Sequence, residues 1–201
     1  MELNEILSKT LELYYKYAIK SVTMDDVARE LGISKKTLYQ YVANKKELVE
    51  KVIKSELERV AQMHSKIKNM NLNAIEELFE VSKMMNEHLK KHNPALFYDL
   101  RKYYPKLYHE VRIHKRTKAY ESVLRNLKKG ISEGLYRKEI KAEIIAKLYI
   151  SRMEQSYDDS IFSIEEITSI EVFNEILIYH LHGICNEKGL KILKNKLKDL
   201  Q

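Results

Sequence analysis

Between Ile33 and Lys46 the chain sets Ser34, Lys35, Lys36, Thr37, Tyr39, Gln40, Tyr41, Lys45 and Lys46 close together, with no aspartate or glutamate among them. These side chains suit non-covalent recognition of a polyanion. Lysine attracts phosphate, and serine, threonine and tyrosine hydroxyls donate to phosphate oxygens. Lysine also reaches the acceptor edge of guanine, and glutamine pairs with adenine. Four lysines in isolation would read as a solvated face. Their weight here comes from the frame that carries them.

That frame is legible as two short helices around a tight turn. Thr23 is an N-cap, and Asp25 and Asp26 follow in a first turn, where the helix dipole favours anions. Met24, Val27, Ala28 and Leu31 form a buried stripe at helical spacing. Gly32 supplies the left-handed residue that stops a helix, and Ser34 caps the next one. Leu38 and Val42 face inward at i, i+4. Asn44 then caps a long helix over 45–68, with Leu48, Val52 and Leu57 on its apolar side. A support helix, a glycine turn and a second helix with a polar, basic outer face make a helix-turn-helix whose second helix enters the major groove. The N-termini of the second and fourth helices are expected to cradle phosphate as well.

The run from Thr23 through Gly32 and Ser34 to Asn44-Lys45-Lys46-Glu47-Leu48 resembles the DNA-binding signature of the TetR/AcrR transcriptional regulators, with the likeness beginning near Ile6. The segment from Gly130 to Arg137 is similar to one found before the last two helices of that family. The resemblance implies a homodimer, an N-terminal three-helix DNA-binding unit, a linker helix, and a larger C-terminal ligand-binding and dimerisation domain. By position it implies that Thr23 caps the second helix and touches phosphate, and that Lys35, Lys36 and Gln40 read bases. Ser34, Thr37, Tyr39 and Tyr41 would complete the contact surface, and Lys45 would bind phosphate. Ala18 stands where the family usually has glycine, and Val42 where it usually has phenylalanine. The first bears on the loop after helix one, the second on core packing.

Composition agrees with this without proving it. The 201 residues are 44% hydrophobic and 32% charged, with 5 glycines and 2 prolines, too few for the turns of an all-β protein. The net charge is +7, yet residues 1–50 hold eight basic and eight acidic side chains, so local arrangement rather than global charge carries the DNA reading. No apolar run approaches a membrane span. The start of the chain lacks a signal-peptide pattern, and a single cysteine, Cys185, forms no intrachain disulfide, so a cytoplasmic protein is expected. Helical periodicity predicts helices over about 3–17, 24–31, 35–42, 45–68, 74–92, 95–104, 106–133, 142–157, 164–187 and 190–200, an all-α fold. The expected division is a helix-turn-helix domain over 1–48 and a linker helix with a regulatory domain over 49–201.

The C-terminal part is less explicit. Met85, His88, Phe97, Tyr98, Tyr104, Tyr108 and Met153 are candidates for a ligand pocket, although Met and aromatic residues at helical spacing also describe ordinary core. The two apolar helices over 142–157 and 164–187 need cover on several sides. A second copy would supply it, with Ile145, Tyr149, Phe173, Leu177, His180, Leu181 and Ile184 at the interface. His88 and His92 share an i, i+4 spacing, but no further ligand completes a metal set, so neither metal nor cofactor is expected. No nucleophile elbow, P-loop or dinucleotide fingerprint occurs, which argues against an enzyme. The expectation is a repressor that binds a near-palindromic double-stranded operator as a homodimer and is released by a small-molecule effector. A protein partner is the alternative for the regulatory half.

Overall fold

The computed structural model describes residues 2–91, 93–155, 166 and 169–198. It is all-α: ten helices with no strand among the described residues. They are α1 (Leu3–Ser21), α2 (Met24–Leu31), α3 (Lys35–Leu38), α4 (Lys45–Lys68), α5 (Ala74–Lys91), α6 (Pro94–Tyr103), α7 (Pro105–Ser132), α8 (Ala142–Gln155), α9 (Ile170–Ile184) and α10 (Glu187–Lys198). The chain forms two compact units, residues 1–65 with 91–111, and residues 66–90 with 112–201.

The first unit is built on the apolar stripes of its short helices. Ile6 and Tyr14 of α1, Val27 and Leu31 of α2, Leu38 of α3, and Leu48, Val49 and Val52 of α4 are buried together. Val42, where the resemblance points to a larger residue, is buried in the same cluster, with Tyr41 partly buried against it. Leu96 and Leu100 of α6, and Leu107 and Val111 of α7, complete this core. Nothing in the periodicity of α6 told which core it would join.

One backbone position in this unit is strained. Ala18, inside α1, has φ 62° and ψ 170°, a conformation that L residues with a Cβ rarely hold, and its methyl is buried. Such a residue costs about 1–3 kcal/mol. Glycine adopts the conformation freely, while losing a buried methyl removes roughly 0.8 kcal/mol. Ala18→Gly is therefore expected to stabilise the protein by up to about 1 kcal/mol, raising Tm by roughly 2–4 °C in a scanning thermal melt. A lowered Tm would show that the packing of the methyl outweighs the strain.

The second unit packs Ala74, Ile75 and Phe79 of α5, Leu127 of α7, Ala142 and Ala146 of α8, Leu177, Leu181 and Ile184 of α9, and Leu193 of α10. Between α7 and α8 the chain runs alongside the end of α9. Arg137 N–H donates to Ile184 O at 2.9 Å, and Asn186 N–H donates to Leu135 O at 3.1 Å. Tyr136 is fully buried there, its hydroxyl donating to Asn126 Oδ1 at 3.0 Å. Asn126 Nδ2 in turn donates to Ala74 O at 2.8 Å.

Candidate nucleic-acid interface

The α2–α3 pair is fixed by reciprocal caps. Thr23 Oγ1 accepts from Asp26 N–H at 3.1 Å and donates to Asp26 Oδ2 at 2.6 Å, while Thr23 N–H donates to the same oxygen at 2.9 Å. These bonds from Thr23, with Arg29 and Lys45 nearby, hold the Asp26 carboxyl below the usual carboxylate range. Gly32 ends α2 at φ 64°, the left-handed conformation that glycine adopts without cost. Ser34 Oγ then accepts from Thr37 N–H at 3.0 Å and shares a 2.8 Å hydrogen bond with Thr37 Oγ1. After Leu38 the chain tightens, with Gln40 N–H donating to Thr37 O and Tyr41 N–H to Leu38 O. Leu38, with no exposed surface, anchors this turn and leaves Lys36, Tyr39 and Gln40 exposed.

Two details were not legible in the linear sequence. Ser34, Thr37 and Thr23 spend hydroxyl hydrogen bonds on caps, so part of their donor capacity is committed within the chain. The segment from Ile33 to Lys46 is acid-free in sequence but not in space: Lys35 Nζ lies 2.8 Å from Asp25 Oδ2 of α2. The start of α4 carries its own caps, with Asn44 Oδ1 accepting from Glu47 N–H at 3.0 Å and Glu47 Oε2 from Ala43 N–H at 2.7 Å. Among the described residues Lys35 is the cation of this segment in an ion pair; Lys45 gives its amine to a backbone carbonyl, and Lys36 and Lys46 are exposed. Lys46 was not among the residues assigned a contact from sequence.

Lys45 is half-buried, and its Nζ donates to Lys20 O at 3.3 Å. Burial lowers the affinity of its amine for a proton, against the opposing pull of Asp99 and Asp26. Tyr41 is half-buried, and its carbonyl accepts from Lys51 Nζ at 2.9 Å. A residue that sequence reasoning overlooked also shapes this edge. Asp99 of α6 is buried, and its Oδ2 accepts the Lys20 N–H at 2.6 Å, tying α6 to the last turn of α1. An aspartate within an aromatic-rich helix gives no sign in sequence of a backbone partner 79 positions away.

The residues considered for a pocket fall in both units. Phe97 and Tyr98 lie at the surface, and Tyr104 and Tyr108 pack against the core of the first unit. Met85 is half-buried in the second unit. The side chains of His88 and Met153, and the whole of His92, lie outside the described residues. Of the residues considered for a dimer interface, Leu177, Leu181 and Ile184 are buried in the second unit's own core, because α9 turns that stripe toward α5 and α7. Ile145, Tyr149, Phe173 and His180 are half-buried. Among the described residues, the exposed large apolar side chains of α8 and α9 are Ile144, Leu148 and Tyr179, at 51%, 60% and 67% exposure. None of these three was among the residues assigned to the interface from sequence. Tyr149 and His180 rings sit 4.5 Å apart, and burial, with Arg152 nearby, pushes the imidazole down to about 4, so it is neutral near pH 7. Cys185 is buried, and burial pushes its thiol up to about 11, so it is protonated near pH 7.

The capped α2–α3 pair and the basic, hydroxyl-rich surface that follows it form a helix-turn-helix. Residues 6–52 match the family model described as bacterial regulatory proteins, tetR family. The chain is 26% identical over 184 residues to the uncharacterized HTH-type transcriptional regulator YvaF of Bacillus subtilis (strain 168), covering 91% of this chain and 95% of that protein. Among solved structures, a transcriptional regulator from Cytophaga hutchinsonii superposes with TM-score 0.75 at 19% identity, covering 92% of this chain and 98% of the other. A regulator from Saccharomonospora viridis, solved in complex with choline, superposes with TM-score 0.65 at 14% identity, covering 90% and 96%. Over residues 6–52 the chain is similar to the tetR family of bacterial regulatory proteins, and over most of its length it has the same helical fold as these solved regulators, with an N-terminal helix-turn-helix and a C-terminal helical domain.

Proposed function

We propose that this chain is a transcriptional regulator of the TetR type, a repressor that binds a near-palindromic operator as a homodimer and is released by a small molecule. Residues 1–48 are the DNA-binding part in this reading, and 49–201 the linker helix and regulatory part. The observation that carries it is the doubly capped α2–α3 frame, which leaves Lys36, Tyr39, Gln40 and Lys46 exposed in one short stretch. Lys36 and Gln40 read base edges, while Thr37, Tyr39 and Tyr41 lie along the boundary between bases and backbone. Thr23, Ser34, Lys35 and Lys45 hold the frame against phosphate, Lys35 by exchanging Asp25 for the DNA. Two such frames, one per protomer, fit successive major grooves.

The dimer is supported by the exposed apolar side chains Ile144, Leu148 and Tyr179, which a second copy would remove from water. A small-molecule effector is supported by the choline found in the structurally similar regulator. The effector would favour a spacing of the two frames that no longer fits the operator. A protein partner acting on the regulatory domain is the competing view, and a thermal-shift screen separates the two, because a bound small molecule raises the apparent melting point.

The central test is a mobility shift with the DNA upstream of the regulator's own gene. Specific binding is expected, and Lys36→Ala should weaken it about tenfold or more while leaving the thermal melt unchanged, since Lys36 is exposed. Binding no tighter than to random duplex would refute the reading.

A further inference from the structure

Three exposed lysines of the first unit are held on tyrosine rings instead of carboxylates. Lys16 Nζ stands 5.0 Å from the Tyr17 ring centroid, and Lys20 Nζ 5.5 Å from that of Tyr103. Lys102 Nζ lies 5.3 Å from Tyr98 and 5.5 Å from Tyr103, and donates to Tyr98 Oη at 3.0 Å. The rings themselves face solvent, with Tyr17 49%, Tyr98 51% and Tyr103 41% exposed.

The difference from neighbouring lysines of the first unit is one of charge. Lys9, Lys35 and Lys51 are each neutralised by a carboxylate, on Glu5, Asp25 and Glu47. An aromatic face orients an ammonium group and leaves its full charge available to another anion. The acids nearby do not cancel the patch. Asp99 is buried and spends Oδ2 on the Lys20 N–H, and Glu30 of α2 is a lone acid acting on Lys16. Across residues 94–109 Asp99 is the sole acid against Arg101, Lys102 and Lys106. The patch is also continuous with the edge expected to meet phosphate. Lys20 O accepts from Lys45 Nζ, and Lys20 lies in the last turn of α1, three residues before the Thr23 cap.

We propose that Lys16, Lys20 and Lys102 form a second, sequence-independent contact with the phosphodiester backbone of the duplex flanking the half-site read by α3. This rests on the DNA-binding reading above and extends the footprint onto α1 and α6. The tyrosines pre-order the ammonium groups, which reduces the side-chain entropy given up on binding.

The probe is a duplex recovered from a random-sequence pool by selection on the full-length protein. It is made as the bare recognition sequence and with roughly one helical turn, about ten base pairs, added at each end. Fluorescence anisotropy over a range of salt concentrations reads affinity and salt slope. The wild type should bind the extended duplex more tightly and with the steeper slope. Lys16→Gln/Lys20→Gln/Lys102→Gln should bind both lengths alike, and its slope on the extended duplex should fall by roughly 0.9 for each phosphate that is no longer neutralised. The matching triple change to arginine should retain the wild-type pattern. Lys102→Gln alone, at a surface position of α6, should shift the slope the same way by a smaller amount. Equal slopes and an unchanged length preference in the glutamine variant would overturn the proposal. Equal weakening on both lengths would also overturn it, because the lysines would then be acting at the half-site. Failure of selection to enrich any sequence would instead defeat the DNA-binding reading itself.

Discussion

Glu77→Ala is expected to lower the unfolding free energy by about 3 kcal/mol, read as a shifted midpoint in urea denaturation. Glu77 of α5 is buried, and two cations of α7 converge on it. Arg125 donates to Oε1, and Lys129 Nζ donates to Oε2 at 3.1 Å and also to Leu72 O at 2.6 Å. Removing the carboxylate strands both cations at a partly buried site. Arg125 and Lys129 keep some exposure, which places the effect at the low end of the range for breaking a buried pair.

The same site gives a pH signature. Burial alone would raise the Glu77 pKa, but the hydrogen bonds from Arg125 and Lys129 outweigh it and hold the carboxyl below its ordinary value. A carboxyl depressed in the folded state contributes stability that is fully present above its unfolded value of about 4.3. That contribution is lost as pH falls through the folded value. The stability gap between wild type and Glu77→Gln should therefore be widest near neutrality and narrow in acid. A gap independent of pH would mean that the charge on Glu77 does not matter.

Gly130→Ala should destabilise the protein by about 2–3 kcal/mol, against the direction set by helix propensity. Within a helix, alanine is favoured over glycine by about 1 kcal/mol. Here a Cβ on Gly130 would run into the ring of Tyr136, which is fully buried. Any shift of that ring also disturbs its hydroxyl bond to Asn126, and through Asn126 the bond to Ala74 O. Overpacking of this kind costs about 1–3 kcal/mol, and breaking a buried hydrogen bond adds to it. Tm should fall by roughly 4–12 °C in a thermal melt, whereas a rise would show that the loop carrying Tyr136 yields.

The Gly130–Arg137 segment shows how far a sequence signal reaches. The resemblance drew attention to it, and the reason for the glycine lies in its packing against a tyrosine six residues later. A similar limit applies to Ala18. The sequence marked it as a departure from glycine, and only the backbone showed that the left-handed conformation is kept despite the methyl.

What the sequence determined by itself is what short-range physics encodes. The caps at Thr23, Ser34 and Asn44, the stop at Gly32 and the stripe from Met24 to Leu31 act within a few residues, so the helix-turn-helix and the all-α class were readable directly. The tertiary structure decided everything that depends on which helix faces are already covered. It joined α6 to the first core through Leu96 and Leu100, paired Lys35 with Asp25, and buried Asp99 against the Lys20 N–H. It also used Leu177, Leu181 and Ile184 inside the chain, leaving Ile144, Leu148 and Tyr179 exposed. Periodicity reports that a face is apolar, but not what covers it. That depends on contacts between residues far apart in the chain, and those form only when the helices pack.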